Sequence, residues 1–208
     1  MQLAMIVNPF TEHTLQLAAQ IGVEEIVLTY PGPGVAPLLA ARRMVETAGM
    51  RLAIVERKIP HLKMVHGLPG RKAEVENFCT LLRNMAEAGL TVACYNWMPS
   101  EDWQRTSATI RERGGSWVTE FSLAHAGTNV TDADGAPPAS RPAAALWENL
   151  ERFLHEVLPV AEACGVRLAL HPDDPPLAEF NGQPQIITSN EALQRVVDLA
   201  PSPATGIC

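Results

Sequence analysis

The chain has 208 residues, of which 47% are hydrophobic, and this is enough apolar material to form the core of one domain. A formal net charge of −7 argues against a nucleic-acid ligand, because affinity for nucleic acids comes mainly from Lys and Arg on phosphates. No apolar run reaches the ~18 residues of a membrane span and no export signal is recognisable, so no membrane partner is expected. The four cysteines are widely spaced without a CxxC pair, which indicates reduced thiols in a cytoplasmic protein.

Short apolar runs alternate with segments of helical period, which predicts repeated strand-helix units around a parallel sheet. Thr11 is expected to cap the first helix, and Gly22, Gly49 and Gly89 are expected to end the first three. The predicted strands are residues 2–7, 25–29, 51–55, 90–95, 166–170 and 204–208. The predicted helices are residues 11–21, 36–48, 71–88, 143–163 and 189–199.

The pattern changes after the fourth strand, where residues 100–140 form an insertion. Gly114-Gly115 lies between two strand-like segments and predicts a hairpin, and residues 128–140 have the composition of a surface loop. Five strand-helix units and a sixth strand are fewer than a closed eight-stranded barrel requires. We therefore expect an α/β fold, a (β/α)8 TIM barrel of which this single domain supplies about six strands. On that view the chain is a truncated barrel or a fragment of a longer reading frame.

The segment His171-Pro-Asp-Asp-Pro-Pro follows an apolar strand directly. An imidazole followed by Asp173 and Asp174 at the carboxyl end of a buried strand is typical of a metal or acid-base site. The prolines stiffen the backbone and would hold these groups in a fixed geometry. The same residues would also suit a polar loop that only closes the strand.

Other strands also end in polar or aromatic side chains, and we expect these to lie with His171 on one rim of the barrel, where the carboxyl ends of the strands meet. Two amides suit sugar hydroxyls, three aromatic side chains offer apolar walls with polar tips, and one guanidinium suits a bidentate grip on a carboxylate. These are Asn8 and Asn96, then Tyr95, Trp97 and Trp103, and Arg105; Tyr30 and Glu56 with Arg57 end two further strands. His61 and His66 occupy the loop after the third strand and should overhang this rim. An arginine on a loop is more often solvated, and a tyrosine or tryptophan near a strand end more often packs in the core, whereas the two histidines are less easily explained in this way.

Four segments, in order, resemble mannonate dehydratases. Cys94-Tyr-Asn-Trp-Met-Pro-Ser-Glu-Asp-Trp-Gln-Arg-Thr106 is similar to the fourth-strand signature of that family, and His171-Pro-Asp-Asp-Pro-Pro is similar to its fifth-strand metal segment. Residues 59–71, with 76–78 and 82–84, resemble the third loop and its helix, and residues 184–188 resemble the run after the metal segment. The resemblance covers essentially the whole chain.

The resemblance implies a xylose-isomerase-like barrel that removes water from D-mannonate to give 2-keto-3-deoxy-D-gluconate, a step of glucuronate catabolism. It implies Mn2+ or Fe2+ as cofactor and His171 as a metal ligand. Cys208 lies about two residues before the position of the family's cysteine ligand, so its assignment as a ligand is weaker. Taken together with the chemistry of the rim, the expected substrate contacts are Asn8, His61, His66, Tyr95, Asn96, Trp97, Arg105 and Asp173.

The remaining metal ligands and catalytic groups are expected beyond residue 208, with His66 and Asp173 as candidate contributors within the chain. Residues 1–208 alone are therefore expected to lack activity, and a homo-oligomer is compatible with the sequence. Two alternatives stay open. One is another metal-dependent sugar isomerase or epimerase of the same barrel class, and the other is a non-catalytic half-barrel that binds or assembles.

Overall fold

A computed structural model describes residues 2–100, 105–125 and 139–208. Trp103 and most of the loop predicted at residues 128–140 lie outside this range. The strands are β1 (Ala4–Ile6), β2 (Glu25–Thr29), β3 (Arg51–Glu56), β4 (Val92–Tyr95), β5 (Ser107–Arg111), β6 (Trp117–Glu120), β7 (Arg167–Leu170), β8 (Glu179–Phe180), β9 (Gln183–Pro184) and β10 (Thr205–Ile207). The helices are α1 (Glu12–Gln20), α2 (Val35–Thr47), α3 (Leu62–His66), α4 (Arg71–Glu87), α5 (Ala143–Cys164) and α6 (Asn190–Leu199).

Six parallel strands form one sheet in the order β1-β2-β3-β4-β7-β10. Each coincides with a predicted strand, although β1, β4, β7 and β10 are shorter than the predicted segments. Successive strands of the sheet are joined through helices, which is how the wall of a strand-helix barrel is built. Within the described residues, no helix combines the length and apolarity needed to cross a membrane.

The predicted helix boundaries are confirmed by capping contacts. The Thr11 hydroxyl accepts a hydrogen bond from Thr14 N at 3.2 Å, and the Ser189 hydroxyl accepts one from Ala192 N at 3.2 Å. Gly89 follows α4 with a φ of 74°, a conformation that suits glycine at a helix end. Helix α3 and the β8–β9 hairpin were not predicted, because elements of five and two residues are too short to show a hydrophobic period.

The core lies between the outer face of the sheet and the helices. Phe153 of α5 is fully buried, and its ring centroid lies 5.2 Å from that of Phe78, 5.5 Å from Tyr95 and 5.1 Å from Trp97. This cluster joins α4 and α5 to the end of β4. Replacing Phe153 with alanine should therefore cost about 3–5 kcal/mol of stability.

The insertion after β4 contains the predicted hairpin. Strands β5 and β6 pair antiparallel, and both Gly114 and Gly115 have positive φ at the turn between them. Phe121, directly after β6, packs edge-on against Phe180 of β8 with a centroid distance of 5.4 Å. The insertion thereby contacts the loop that follows β7.

Candidate functional site

A cavity of about 410 Å³ opens at the carboxyl ends of the parallel strands. This is the end at which strand-helix barrels build their active sites. Its volume lies within the range of small-molecule sites. The residues that line the cavity are Ala4, Ile6, Val27, Glu56, Arg57, Lys58, Ile59, His61, Met64, Phe78, Cys94, Tyr95, Asn96, Met98, Arg105, His171 and Asp174.

His171 extends β7 by one residue, since its backbone N–H donates to Tyr95 O of β4 at 2.7 Å. Its ring Nδ1 lies 3.1 Å from Pro172 O, so that Nδ1 carries the proton that is donated to this carbonyl. The lone pair is then on Nε2. This arrangement, in which one ring nitrogen is bonded to a carbonyl and the other is basic, is common for histidines that bind metals.

Cys208 extends β10 in the same way, with its N–H donating to Leu170 O at 2.9 Å. Cys94 of β4 pairs in register with Ala169, which pairs in turn with Gly206 of β10. Because residues two apart face the same side of a strand, Cys208 shares the inner face with Cys94. A hydrogen bond from the Cys94 thiol and the nearby His171 lower the pKa of Cys208 to about 6, and the same hydrogen bond together with burial raises the pKa of Cys94.

A first-row transition ion needs more ligands than this pair provides. An imidazole and a thiolate are both suitable donors for such an ion. Across residues 2–100, 105–125 and 139–208, however, His, Cys, Asp and Glu side chains form no group of three or more that could hold a metal. Any ion bound through His171 therefore requires ligands from outside the described residues, and the described site does not by itself support a metal-dependent step.

Arg105 reaches the cavity from the insertion and is bound to Asp174. Its Nη1 donates to Asp174 Oδ1 at 3.1 Å and its Nη2 to Asp174 Oδ2 at 2.7 Å, while Nε donates to Thr119 at 3.2 Å. We expected this guanidinium to grip a substrate carboxylate in bidentate fashion. Its terminal nitrogens instead bind a carboxylate of the protein, because the loop after β7 brings Asp174 to the same wall.

The end of β3 has an unusual backbone. Arg57 and Lys58 have φ values of 67° and 56°, and left-handed conformations cost non-glycine residues roughly 1–2 kcal/mol each. Arg57 O accepts a hydrogen bond from Tyr30 N at 3.2 Å, which ties the turn to β2. As a result, the four successive residues from Glu56 to Ile59 all line the cavity, whereas an extended strand would turn alternate residues away.

Three of the expected substrate contacts line the cavity besides Arg105, and they are His61, Tyr95 and Asn96. His61 Nδ1 lies 3.1 Å from Ile59 O, and Asn96 Oδ1 accepts a hydrogen bond from Met98 N at 3.1 Å. The Tyr95 ring belongs to the buried aromatic cluster, and burial raises the pKa of its hydroxyl.

The other four expected contacts do not line the cavity. Trp97 is fully buried and its Nε1 donates to Leu146 O at 3.1 Å, while Asn8 is exposed beyond β1. His66 is buried in α3, where its Nε2 lies 2.6 Å from Pro99 O. Asp173 is buried and its Oδ2 accepts a hydrogen bond from Ile187 N at 2.7 Å, so it holds the chain after β9. These positions suit packing and loop attachment.

Sequence reasoning did not single out Lys58, Cys94 or the role of Asp174 as partner of Arg105. The one sequence signal for Lys58 is the run Glu56-Arg57-Lys58 at the end of an apolar strand. Cys94 and Cys208 come close because β4 and the segment that extends β10 flank the same strand, β7. This strand order cannot be read from the spacing of the two cysteines in the sequence.

Comparison with solved structures defines the class of this protein as a xylose-isomerase-like TIM barrel. A D-psicose 3-epimerase from Clostridium cellulolyticum H10 matches with a TM-score of 0.62 at 12% identity, covering 100% of this chain and 62% of that chain. At such low identity the similarity concerns the fold alone. The expected (β/α)8 architecture, with about six strands supplied by this chain, is confirmed.

The particular family follows from sequence. The family model for D-mannonate dehydratase (UxuA) matches residues 9–135 and 141–208, and the chain belongs to this family of hydro-lyases. The mannonate dehydratase of Geobacillus thermodenitrificans is 31% identical over 94% of this chain and 61% of its own length. That of Streptococcus suis is 36% identical over 82% of this chain and 52% of its own length.

A crystal structure of mannonate dehydratase from Streptococcus suis serotype 2 superposes with a TM-score of 0.84 at 32% identity, covering 100% of this chain and 63% of that chain. The chain thus spans about half to three-fifths of the length of these relatives. Members of the family are metal-dependent in general, whereas the described residues of this chain contain no complete metal site.

Proposed function

We propose that this chain contributes to the dehydration of D-mannonate to 2-keto-3-deoxy-D-gluconate in the cytoplasm, as a step of glucuronate catabolism. One observation carries the proposal: a chain of the mannonate dehydratase family has a small-molecule cavity at the carboxyl ends of its parallel strands, with His171 in the wall. The substrate class is a sugar acid, in line with the family.

We propose Mn2+ or Fe2+ as the cofactor, with His171 as one ligand and the Cys208 thiolate as a second. A mixed nitrogen and sulfur environment favours a first-row transition ion over magnesium. Such an ion, when bound, supplies a positive charge beside the carboxylate of the substrate. The complete ligand set would include groups outside the described residues.

The reaction needs a proton removed next to the carboxylate and another delivered to the departing hydroxyl. His61 lines the same cavity as His171, and an imidazole is the side chain that most often transfers protons in enzymes. We therefore propose His61 as the group that holds the proton for the departing hydroxyl. Asn96 would orient the sugar hydroxyls, with its amide as donor and acceptor.

The test is an assay of the protein expressed from its complete reading frame, with D-mannonate and added Mn2+, in which 2-keto-3-deoxygluconate is quantified. A panel of aldoses and ketoses is assayed in parallel for isomerisation and epimerisation. Formation of the 2-keto-3-deoxy acid, reduced at least about tenfold in His61→Gln and retained in His155→Gln on the exposed face of α5, supports the proposal. Isomerised sugars without the keto-deoxy acid would instead identify an isomerase or epimerase. Binding of D-mannonate without any turnover would favour a non-catalytic role.

A further inference from the structure

Asp174 presents a carboxylate to the cavity from the loop after β7. Each of its two oxygens accepts one hydrogen bond from Arg105, and within the described residues its side chain has no other hydrogen-bond partner. A carboxylate offers about four lone-pair sites, so each oxygen can accept one hydrogen bond more. The side chain is 33% exposed and lines the cavity. These acceptor sites of Asp174 are therefore open to hydrogen-bond donors of a ligand.

The adjacent carboxylate is arranged differently. Asp173 is buried, its Oδ2 accepts a hydrogen bond from Ile187 N at 2.7 Å, and its own N–H donates to Ile187 O at 2.9 Å. Asp173 does not line the cavity, whereas Asp174 does. Of the two successive carboxylates, the first attaches the loop to the chain after β9, and the second is left to face a ligand.

Arg105 makes the Asp174 carboxylate compatible with an anionic ligand. A carboxylate without a cation beside it would repel a sugar acid, because like charges in a partly shielded space disfavour each other. The guanidinium offsets this charge and fixes the plane of the carboxylate through two hydrogen bonds of 3.1 and 2.7 Å. Its Nε donates to Thr119 at 3.2 Å, so the pair is also held by the β5–β6 hairpin. The result is a set of oriented acceptors without net charge, which suits the neutral hydroxyls of a sugar acid.

The position of Asp174 relative to His171 determines which hydroxyls it can reach. The two residues are three positions apart, so their Cα atoms are separated by at most ~11 Å. A six-carbon acyclic chain spans roughly 6 Å along its ~1.5 Å bonds, and hydrogen bonds of about 2.8 Å at both ends extend its reach to roughly 12 Å. A sugar acid whose C1 end lies at His171 can therefore place a hydroxyl of its distal half, C4 to C6, at Asp174.

We propose that Asp174 binds a hydroxyl of the distal half of the sugar acid and thereby determines which sugar acids the cavity accepts. The inference rests on the proposed function, since it takes the C1 end of the substrate to lie at His171. A hydrogen bond to a charged acceptor is stronger than one between neutral groups. A site built around such a bond discriminates against a substrate that lacks the hydroxyl.

The experiment compares D-mannonate with its 4-deoxy, 5-deoxy and 6-deoxy analogues, using the protein expressed from its complete reading frame. All four ligands carry the same single charge and keep the C2 and C3 groups at which water is eliminated, so their ratios report the distal hydroxyls alone. The value of kcat/KM is measured with added Mn2+, and affinity is measured by isothermal titration calorimetry without added metal ion. We expect at least one analogue to be about tenfold or more poorer than D-mannonate, and the poorest one identifies the hydroxyl.

The variants are Asp174→Asn, which keeps the shape of the side chain, and Asp174→Ala. The first should lower the ratio between D-mannonate and the poorest analogue, and the second should bring it to within about twofold of one. Loss of the carboxylate leaves Arg105 without its partner, but the extra positive charge acts equally on all four ligands and cancels in the ratio. Asp198→Ala, which removes a carboxylate from the exposed face of α6, should leave the ratio unchanged.

The outcomes separate this role of Asp174 from the proposed function. Dehydration of D-mannonate with no preference over any analogue would overturn the role of Asp174 and leave the proposed function standing. So would a preference that survives both substitutions in proteins with an unaltered melting temperature. A preference in binding that Asp174→Ala abolishes, without dehydration of D-mannonate by the wild type, would support the role of Asp174 and refute the proposed reaction. Failure of D-mannonate both to bind and to react would refute both.

Discussion

Arg105 and Asp174 form a two-point ion pair across the cavity wall, with nitrogen-oxygen distances of 3.1 and 2.7 Å. The two residues come from the insertion after β4 and the loop after β7. Both side chains are largely shielded, with 19% and 33% of their surfaces exposed. The pair therefore joins two loops between which the described residues form no sheet hydrogen bonds, and it fixes the shape of the wall on this side.

We expect the pair to stabilise the fold by ~1–2 kcal/mol, because charged two-point hydrogen bonds are strong when partly shielded. The measurement is a double-mutant cycle of Arg105→Ala and Asp174→Ala by urea denaturation. The matched control is the same cycle on Arg83 and Glu76, an exposed pair on α4, which should give a clearly smaller coupling because solvent screens it. A coupling in the first cycle no larger than in the second would show that the pair does not hold the loops together.

Asp173 should make stability depend on pH. Burial raises the pKa of this carboxyl from 3.8 to about 6, against two backbone hydrogen bonds that lower it. Since the folded protein holds the proton more tightly, the stabilisation is complete below pH 3.8 and is lost as the pH rises through 6. The loss corresponds to at most ~3 kcal/mol.

The pH dependence is measured as the free energy of unfolding between pH 3.5 and 7 in wild type and in Asp173→Asn. The amide keeps an acceptor for Ile187 N but cannot ionise, so the variant should lose less stability over this range than wild type. Asp198→Asn, at an exposed position near the end of α6, should behave as wild type. Identical slopes in wild type and Asp173→Asn would mean that the carboxyl titrates near its ordinary pKa.

Lys58→Gly should stabilise the protein. Glycine has no steric penalty at a φ of 56°. Glycine also gives the unfolded chain more conformational entropy, and once this cost is subtracted the free energy of unfolding should rise by about 0.5–1 kcal/mol. The same substitution at Lys72, inside α4, should destabilise by ~1 kcal/mol. Thermal melts of both variants check this, and a drop in stability for Lys58→Gly would show that the side chain contributes more to packing than the backbone costs.

His171→Ala should abolish binding of Mn2+ while the fold is retained. The imidazole at the end of β7 is the proposed ligand, and the contact of its Nδ1 with the Pro172 carbonyl leaves Nε2 to bind the ion. Elemental analysis after dialysis against Mn2+ gives the metal content, and far-ultraviolet circular dichroism reports the fold. His155→Ala, on the exposed side of α5, is the control. Unchanged metal content in His171→Ala would remove this residue from the ligand set.

The framework of the fold could be predicted from the sequence because its signals are local. The hydroxyls of Thr11 and Ser189 mark the start of helices, and the glycines after α1, α2, α4 and α5 mark their ends. Apolar runs of four to six residues between these marks suffice to place the strands. The short helix α3 could not be found in this way, because its five residues make little more than one turn.

The site was less predictable, since it depends on contacts between distant parts of the chain. Arg105 and Asp174 are 69 positions apart, and no periodicity links them. The direction of Arg57 and Lys58 depends on two left-handed residues that carry side chains, for which propensity would have favoured glycine or asparagine. His171 was identifiable because a strand end alone determined its place.

The edge-on contact of Phe121 with Phe180 packs the β5–β6 hairpin against the β8–β9 hairpin. Each ring belongs to a different strand-helix unit, so each hairpin supplies packing surface that the other lacks. Exchange of one of these loops with that of another barrel should therefore be better tolerated when both hairpins are grafted together. A transplanted β5–β6 hairpin lacking its aromatic counterpart on β8 would leave an unfilled hollow at the rim.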